Sequence, residues 1–174
     1  MEEVLKMAAD LMALAARTAP KATGKDFIEL KVIQGEDVER LADAMAEYAE
    51  EKNIPGFKRD GENVRNSGAV LLVALKDPQV AGLNCGACGV SRCELLAPKR
   101  QEGPEFAGPL CAWRLVDLGI ALGSAAKTAG ILNADNRIMY RPGVLARKLG
   151  LIEGEIVAAI PLSATGKSIY FDRK

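Results

Sequence analysis

The chain has 174 residues, 49% of them apolar and 26% charged, which is enough for one domain with a packed core. Its 23 basic and 23 acidic residues cancel, and it contains no histidine. No block of like charge offers a footprint for nucleic acid. The missing imidazole excludes Ser-His-Asp and Cys-His catalysis and every mixed Cys/His zinc pattern.

Residues 2–18 place Leu5, Ala8, Ala9, Met12, Ala15 and Ala16 at helical spacing, ended by Pro20. From Phe27 to Ile33, apolar Ile28, Leu30 and Val32 alternate with Glu29 and Lys31, the pattern of a half-buried strand. Glu36 to Lys52 reads as a second helix through Val38, Leu41, Ala42, Met45 and Ala49. Asn53 to Ser67, with Pro55-Gly56 and Asp60-Gly61, reads as loop with at most one short helix. Ala69 to Leu75 is uniformly apolar and suits a central strand.

After the cysteine-bearing stretch, a long helix is expected from Leu110 to Ala129. A short helix follows Arg141-Pro142-Gly143 and ends near Gly150, and a last strand runs from Glu155 to Leu162. The aromatic tail from Gly166 to Lys174 is expected to dock, within the chain or across a dimer interface. This order of elements predicts one domain, 1–174, with helices on both faces of a sheet. The most apolar stretch, Pro109 to Leu132, carries Arg114, Asp117 and Lys127, which makes a poor membrane span. Met1-Glu2-Glu3 lacks the basic start of a secretory signal, so the expected location is the cytoplasm.

All four cysteines lie within one segment, Cys85-x2-Cys88-x4-Cys93-x17-Cys111. In a reducing compartment, clustered thiols read as ligands before disulfides. Without histidine, any site they form is completed by sulfur, which selects zinc or an iron–sulfur cluster. Gly86 and Gly89 let the backbone curl around the sulfurs. Zinc ribbons tend to use two separated C-x2-C pairs, whereas this segment has one. A cluster, a structural zinc and unligated thiols stay open on spacing alone, in that order. Asp117 is expected to pair with Arg114 or to cap a neighbouring amide, and Trp113 and Tyr140 to pack.

The stretch Asn84-Cys-Gly-Ala-Cys-Gly-Val-Ser-Arg-Cys-Glu-Leu-Leu96 resembles the [4Fe–4S] domain of corrinoid iron–sulfur proteins and related carriers. That resemblance covers 84–112 and implies Cys85, Cys88, Cys93 and Cys111 as ligands of one [4Fe–4S] cluster. With the runs Asp117–Ser124 and Asp135–Arg141, the whole chain is similar to the ferredoxin-domain proteins of anaerobic bacteria and archaea. Ala15-Ala-Arg-Thr-Ala-Pro-Lys-Ala22 and the strand after it also resemble the opening of FMN-dependent nitroreductases. This second likeness implies an α+β fold, a three-layer α/β/α sandwich with the cysteine segment inserted, and a homodimer. It offers FMN as a further cofactor, with Arg17, Lys21 and Lys25 as phosphate candidates. Against it, the arginine-rich motif that grips the FMN phosphate in nitroreductases is missing here. The resulting expectation is an iron–sulfur redox protein with a partner protein for its electrons. The alternatives are a metal-stapled scaffold without catalysis and a flavin oxidoreductase that uses the cluster as a relay.

Overall fold

The computed structural model describes residues 1–172; Arg173 and Lys174, at the end of the aromatic tail, lie outside the described residues. Among the described residues, five α-helices, α1 (Glu2–Thr18), α2 (Glu36–Lys52), α3 (Pro55–Arg65), α4 (Ala112–Ile131) and α5 (Arg141–Lys148), accompany six strands. The strands are β1 (Ile28–Ile33), β2 (Ala69–Leu75), β3 (Gln101–Glu102), β4 (Ala107–Gly108), β5 (Asp135–Asn136) and β6 (Ile156–Ser163). The main sheet runs β1-β2-β6-β5 with every pairing antiparallel, and β3 and β4 form a separate small hairpin.

β2 is central, and all seven of its residues are buried. Successive side chains on a strand point to opposite faces. Leu71, Val73 and Leu75 therefore join a core with α1 and α4, while Val70, Leu72 and Ala74 join another with α2, α3 and α5. β6 divides in the same way, giving Ile160 and Leu162 to the first core and Val157 and Ala159 to the second. The result is the three-layer sandwich. β1 lies at the sheet edge, where exposed Glu29 and Lys31 discourage further strand pairing.

The stretch after Asn53, read as loop with at most one short helix, is helical over 11 residues as α3. Pro55 stands in its first turn, where no N–H partner is lost. Gly61 is a contact point: a Cβ there would lie 3.1 Å from the Met45 Cβ of α2, so the glycine lets two helices approach closely. Gly143 has a tighter role, since a Cβ there would fall 2.0 Å from the Val157 carbonyl oxygen. α5 therefore rests directly on β6. The long helix begins two residues later than its expected start and runs two residues past its expected end.

The tail folds back on its own chain. Tyr170 is 1% exposed, and its hydroxyl lies 2.9 Å from the Ser67 hydroxyl. Arg137 donates to the Tyr170 carbonyl at 2.9 Å. Among the described residues, no helix is long and apolar enough to cross a membrane.

Candidate metal centre

The chain leaves the sheet at the end of β2 and returns to it through α4, with all four cysteines in between. Cys85, Cys88 and Cys93 come from the loop, and Cys111 is the residue that opens α4. All four line one small cavity, together with Leu96 and Trp113. All four are free thiols, graded from exposed Cys85 through half-buried Cys88 and Cys93 to buried Cys111. The cavity thus has a wet end at Cys85 and a dry end at Cys111 and Leu96, which is 2% exposed.

Turn chemistry shapes the loop. Gly86 and Gly89 take φ of 77° and 83°, a region open to glycine at no steric cost, and Gly89 donates to the Gly86 carbonyl at 2.9 Å. Asn84 donates its amide to Cys93 Sγ at 3.3 Å. A short helical turn from Cys93 to Leu95 follows. The Cys85 thiol is held below its ordinary value by the Ala87 amide and then by the Trp113 indole, both of which favour the thiolate. Trp113, expected to pack, is 41% exposed at the rim of the cavity.

The four thiols ring a shared space and do not close on one point. Among the described residues, no three Cys, Asp or Glu side chains are grouped to hold a single metal ion. A zinc ion would draw its thiolates to about 2.3 Å from one centre. An all-thiolate donor set around one cavity, with the Asn84 and Ala87 amides directed at sulfur, suits either thiophilic group, zinc or an iron–sulfur cluster.

Glu155 ties the segment to the sheet at both ends. One carboxylate oxygen accepts from the Asp77 amide at 2.9 Å, the other from Arg100 at 2.7 Å. The Glu155 carbonyl accepts from the Ala107 amide at 2.9 Å. Arg100 also donates to the Pro78 carbonyl at 2.6 Å. A larger cleft beside this anchor is lined by Lys76, Arg100, Glu102, Arg147 and Glu153, but each of its three cations is already paired with a carboxylate.

Arg114 and Asp117 connect α4 to the opening of β1. Arg114 is fully buried and donates to the carbonyls of Gln79 and Ala22, each at 2.8 Å, and to Asp117 at 3.0 Å. Its guanidinium also lies 4.8 Å from the centre of the Phe27 ring. Asp117 accepts the Ala22 amide at 2.7 Å, so the pairing and the amide cap expected of it both occur.

The three basic residues considered for a flavin phosphate lie around this same turn. Arg17 donates to Asp26 at 2.7 Å and to the Ile28 carbonyl at 2.6 Å. Lys21 donates to the carbonyls of Ala16, Arg17 and Ala19, closing the end of α1. Burial alone would lift the Asp26 carboxyl, but the Arg17 guanidinium, the Ile28 amide and Lys21 outweigh it and hold it below the ordinary value. Lys25 is exposed, and its side chain makes no hydrogen bond or ion pair among the described residues. Arg17 and Lys21 thus converge on Asp26, while Lys25 stands apart.

A three-layer antiparallel sandwich carrying a four-thiol cavity between its central strand and longest helix defines a class. Its fold is shared with flavoproteins. A nitroreductase with bound FMN from Desulfitobacterium hafniense is similar at a TM-score of 0.59 and 15% identity, over 92% of this chain and 78% of that one. The FMN-dependent nitroreductase NfnB from Mycobacterium smegmatis, solved with NADPH, matches at 0.60 and 12% over the same shares. At these identities the likeness is one of fold. A family model described as "Uncharacterized protein containing a ferredoxin domain (DUF2148)" matches residues 107–173. An Archaeoglobus fulgidus protein described as "Uncharacterized protein" is 49% identical over 171 residues, 98% of this chain and 92% of its own. The chain belongs to this family of ferredoxin-domain proteins.

Proposed function

We propose that this protein is an iron–sulfur redox protein in which Cys85, Cys88, Cys93 and Cys111 hold one [4Fe–4S] cluster. The observation that carries the reading is the placing of four free thiols around one cavity. A cluster held there supplies one-electron transfer. The chain's own part is to fix the thiolates, to aim the Asn84 amide at sulfur, and to shield the Cys111 side with Leu96. The exposed Cys85 end is the side on which a partner protein exchanges electrons.

Anaerobic purification tests this reading. A brown protein with about four iron and four sulfide per chain, bleached by dithionite, supports it. A colourless protein with one zinc per chain sinks it and leaves the metal-stapled scaffold.

A flavin-dependent oxidoreductase is the second reading, favoured by the fold it shares with FMN proteins. Lys25 is the basic side chain near the β1 turn most available to a phosphate. A yellow chromophore released on denaturation would establish it.

The assembly proposed is a homodimer. Val4, Met7, Leu11 and Leu14 form an exposed apolar stripe on α1, and Val116 and Ile120 continue it on the neighbouring α4. Gly119 and Gly123 on that face have open space where a Cβ would stand, so a helix from a second copy can approach closely. Light scattering of the wild type and of Ile120→Lys checks this: a dimer that the lysine dissociates supports it, and a monomeric wild type overturns it.

A further inference from the structure

We propose that Asn84 is a positioning residue for the cysteine loop, holding Cys93 by its amide and its sulfur together and so tuning the potential of a cluster bound there. The inference rests on the iron–sulfur reading above and deepens it.

Asn84 has a φ of +48°, left-handed backbone that asparagine adopts at lower cost than most side chains. In that conformation its amide points at Cys93 Sγ, 3.3 Å away. Its side-chain Oδ1 turns the other way along the same residue and accepts the Cys93 amide at 2.8 Å. The two bonds close a loop between residues nine apart in sequence, and that loop carries Cys85 and Cys88. Cys93 also starts a short helical turn, whose first N–H has no acceptor inside the turn. Asn84 Oδ1 supplies that acceptor.

Other residues would each lose part of this clasp. Glycine adopts the same φ and keeps the N–H, but with no oxygen for the Cys93 amide it no longer holds Cys93 Sγ within reach of that N–H. Aspartate keeps the oxygen but sets a carboxylate beside the thiolates. Asparagine performs both tasks without adding charge. An N–H directed at a ligating sulfur favours the reduced, more negative state, so the clasp raises the potential of whatever the thiolates hold.

Two measurements separate this proposal from the reading it rests on. In the metal-free protein, hydrogen exchange at the Cys93 amide should be protected in the wild type. Protection should fall about tenfold in Asn84→Gly, the loss of one hydrogen bond, and persist in Asn84→Asp. In protein reconstituted anaerobically with iron and sulfide, Asn84→Gly should show a more negative potential at unchanged iron content. A residue that merely braced the loop would change occupancy and leave the potential alone. Equal exchange in wild type and Asn84→Gly, or a wild-type potential in Asn84→Gly, overturns the proposal. If Asn84→Gly does not fold, Asn84→Asp decides: retained Cys93 protection supports the clasp, and lost protection overturns it. If the wild type takes up no iron, the cluster reading fails while the exchange experiment still decides whether Asn84 holds Cys93.

Discussion

The Asp117 carboxylate lies 3.0 Å from the guanidinium of Arg114, one turn earlier on α4, and both are withdrawn from solvent. The pair joins the first helical residues after Cys111 to the turn that opens β1. Removing one member strands a buried charge, whereas breaking an exposed pair costs little. Asp117→Ala should therefore lower the stability to urea by about 3–5 kcal/mol. Asp117→Asn should lose less, because an amide oxygen can still accept the Ala22 N–H. Exposed Lys6, paired with Asp10 on α1, is the control: Lys6→Ala should leave the stability nearly unchanged.

Gly143→Ala should be among the most damaging small substitutions in the chain. The added methyl meets a backbone oxygen at 2.0 Å, which no side-chain rotation relieves, so α5 has to move off β6. Gly130→Ala is the contrast, since a Cβ there has open space. Thermal unfolding should show a large drop for the first and little change for the second.

Cys93→Ser should remove or degrade the cluster, read as iron per chain after anaerobic purification; unchanged iron content refutes the ligand set. Glu155→Ala should act differently. It frees the Asp77 amide and Arg100 together, loosening both ends of the cysteine segment while leaving the two apolar cores untouched. Iron should still bind, and air should bleach it faster than in the wild type.

Tyr170 gives the fold an alkaline limit. Burial penalises its phenolate and raises its pKa above the ordinary 10.0, an effect that outweighs the hydroxyls of Ser163 and Ser67. The folded protein thus keeps this proton at a pH where the unfolded chain has lost it. The stability so linked is intact below pH 10 and declines as pH rises through the folded value. Tyr170→Phe should flatten that decline in denaturation curves taken across alkaline pH, at the cost of the bond to Ser67.

Periodicity made most of the sandwich legible. Leu5, Ala8, Ala9, Met12 and Ala16 are the buried face of α1, and Ala69 to Leu75 is the central strand, because each pattern reports burial directly. α3 was only half legible because its anchoring residues look like loop. Pro55 starts it, Gly61 admits α2, and buried Asp60 is held by Arg141 at 2.7 Å and Arg59 at 2.9 Å. A buried carboxylate whose partner is far away in sequence leaves no local trace. Cysteine spacing marked the segment but not its fastenings. Asn84 and Glu155 act through backbone amides set by turn geometry, and Arg114 acts through carbonyls from two distant loops. The Arg114–Asp117 pair was visible only as helical neighbours.

β2 is one residue thick and separates two apolar interiors that share no side chain. A void opened on one side cannot be refilled from the other, so the layers should have been free to change at different rates. The α1/α4 layer adjoins the thiols and bears the outer apolar stripe, which leaves it few neutral substitutions. The α2/α3/α5 layer meets the cysteine-bearing segment through α5, where Arg147 donates to Glu102 and Lys148 to the Pro104 carbonyl. α2 and α3 are therefore where an engineer can stabilise the protein at a distance from the thiols.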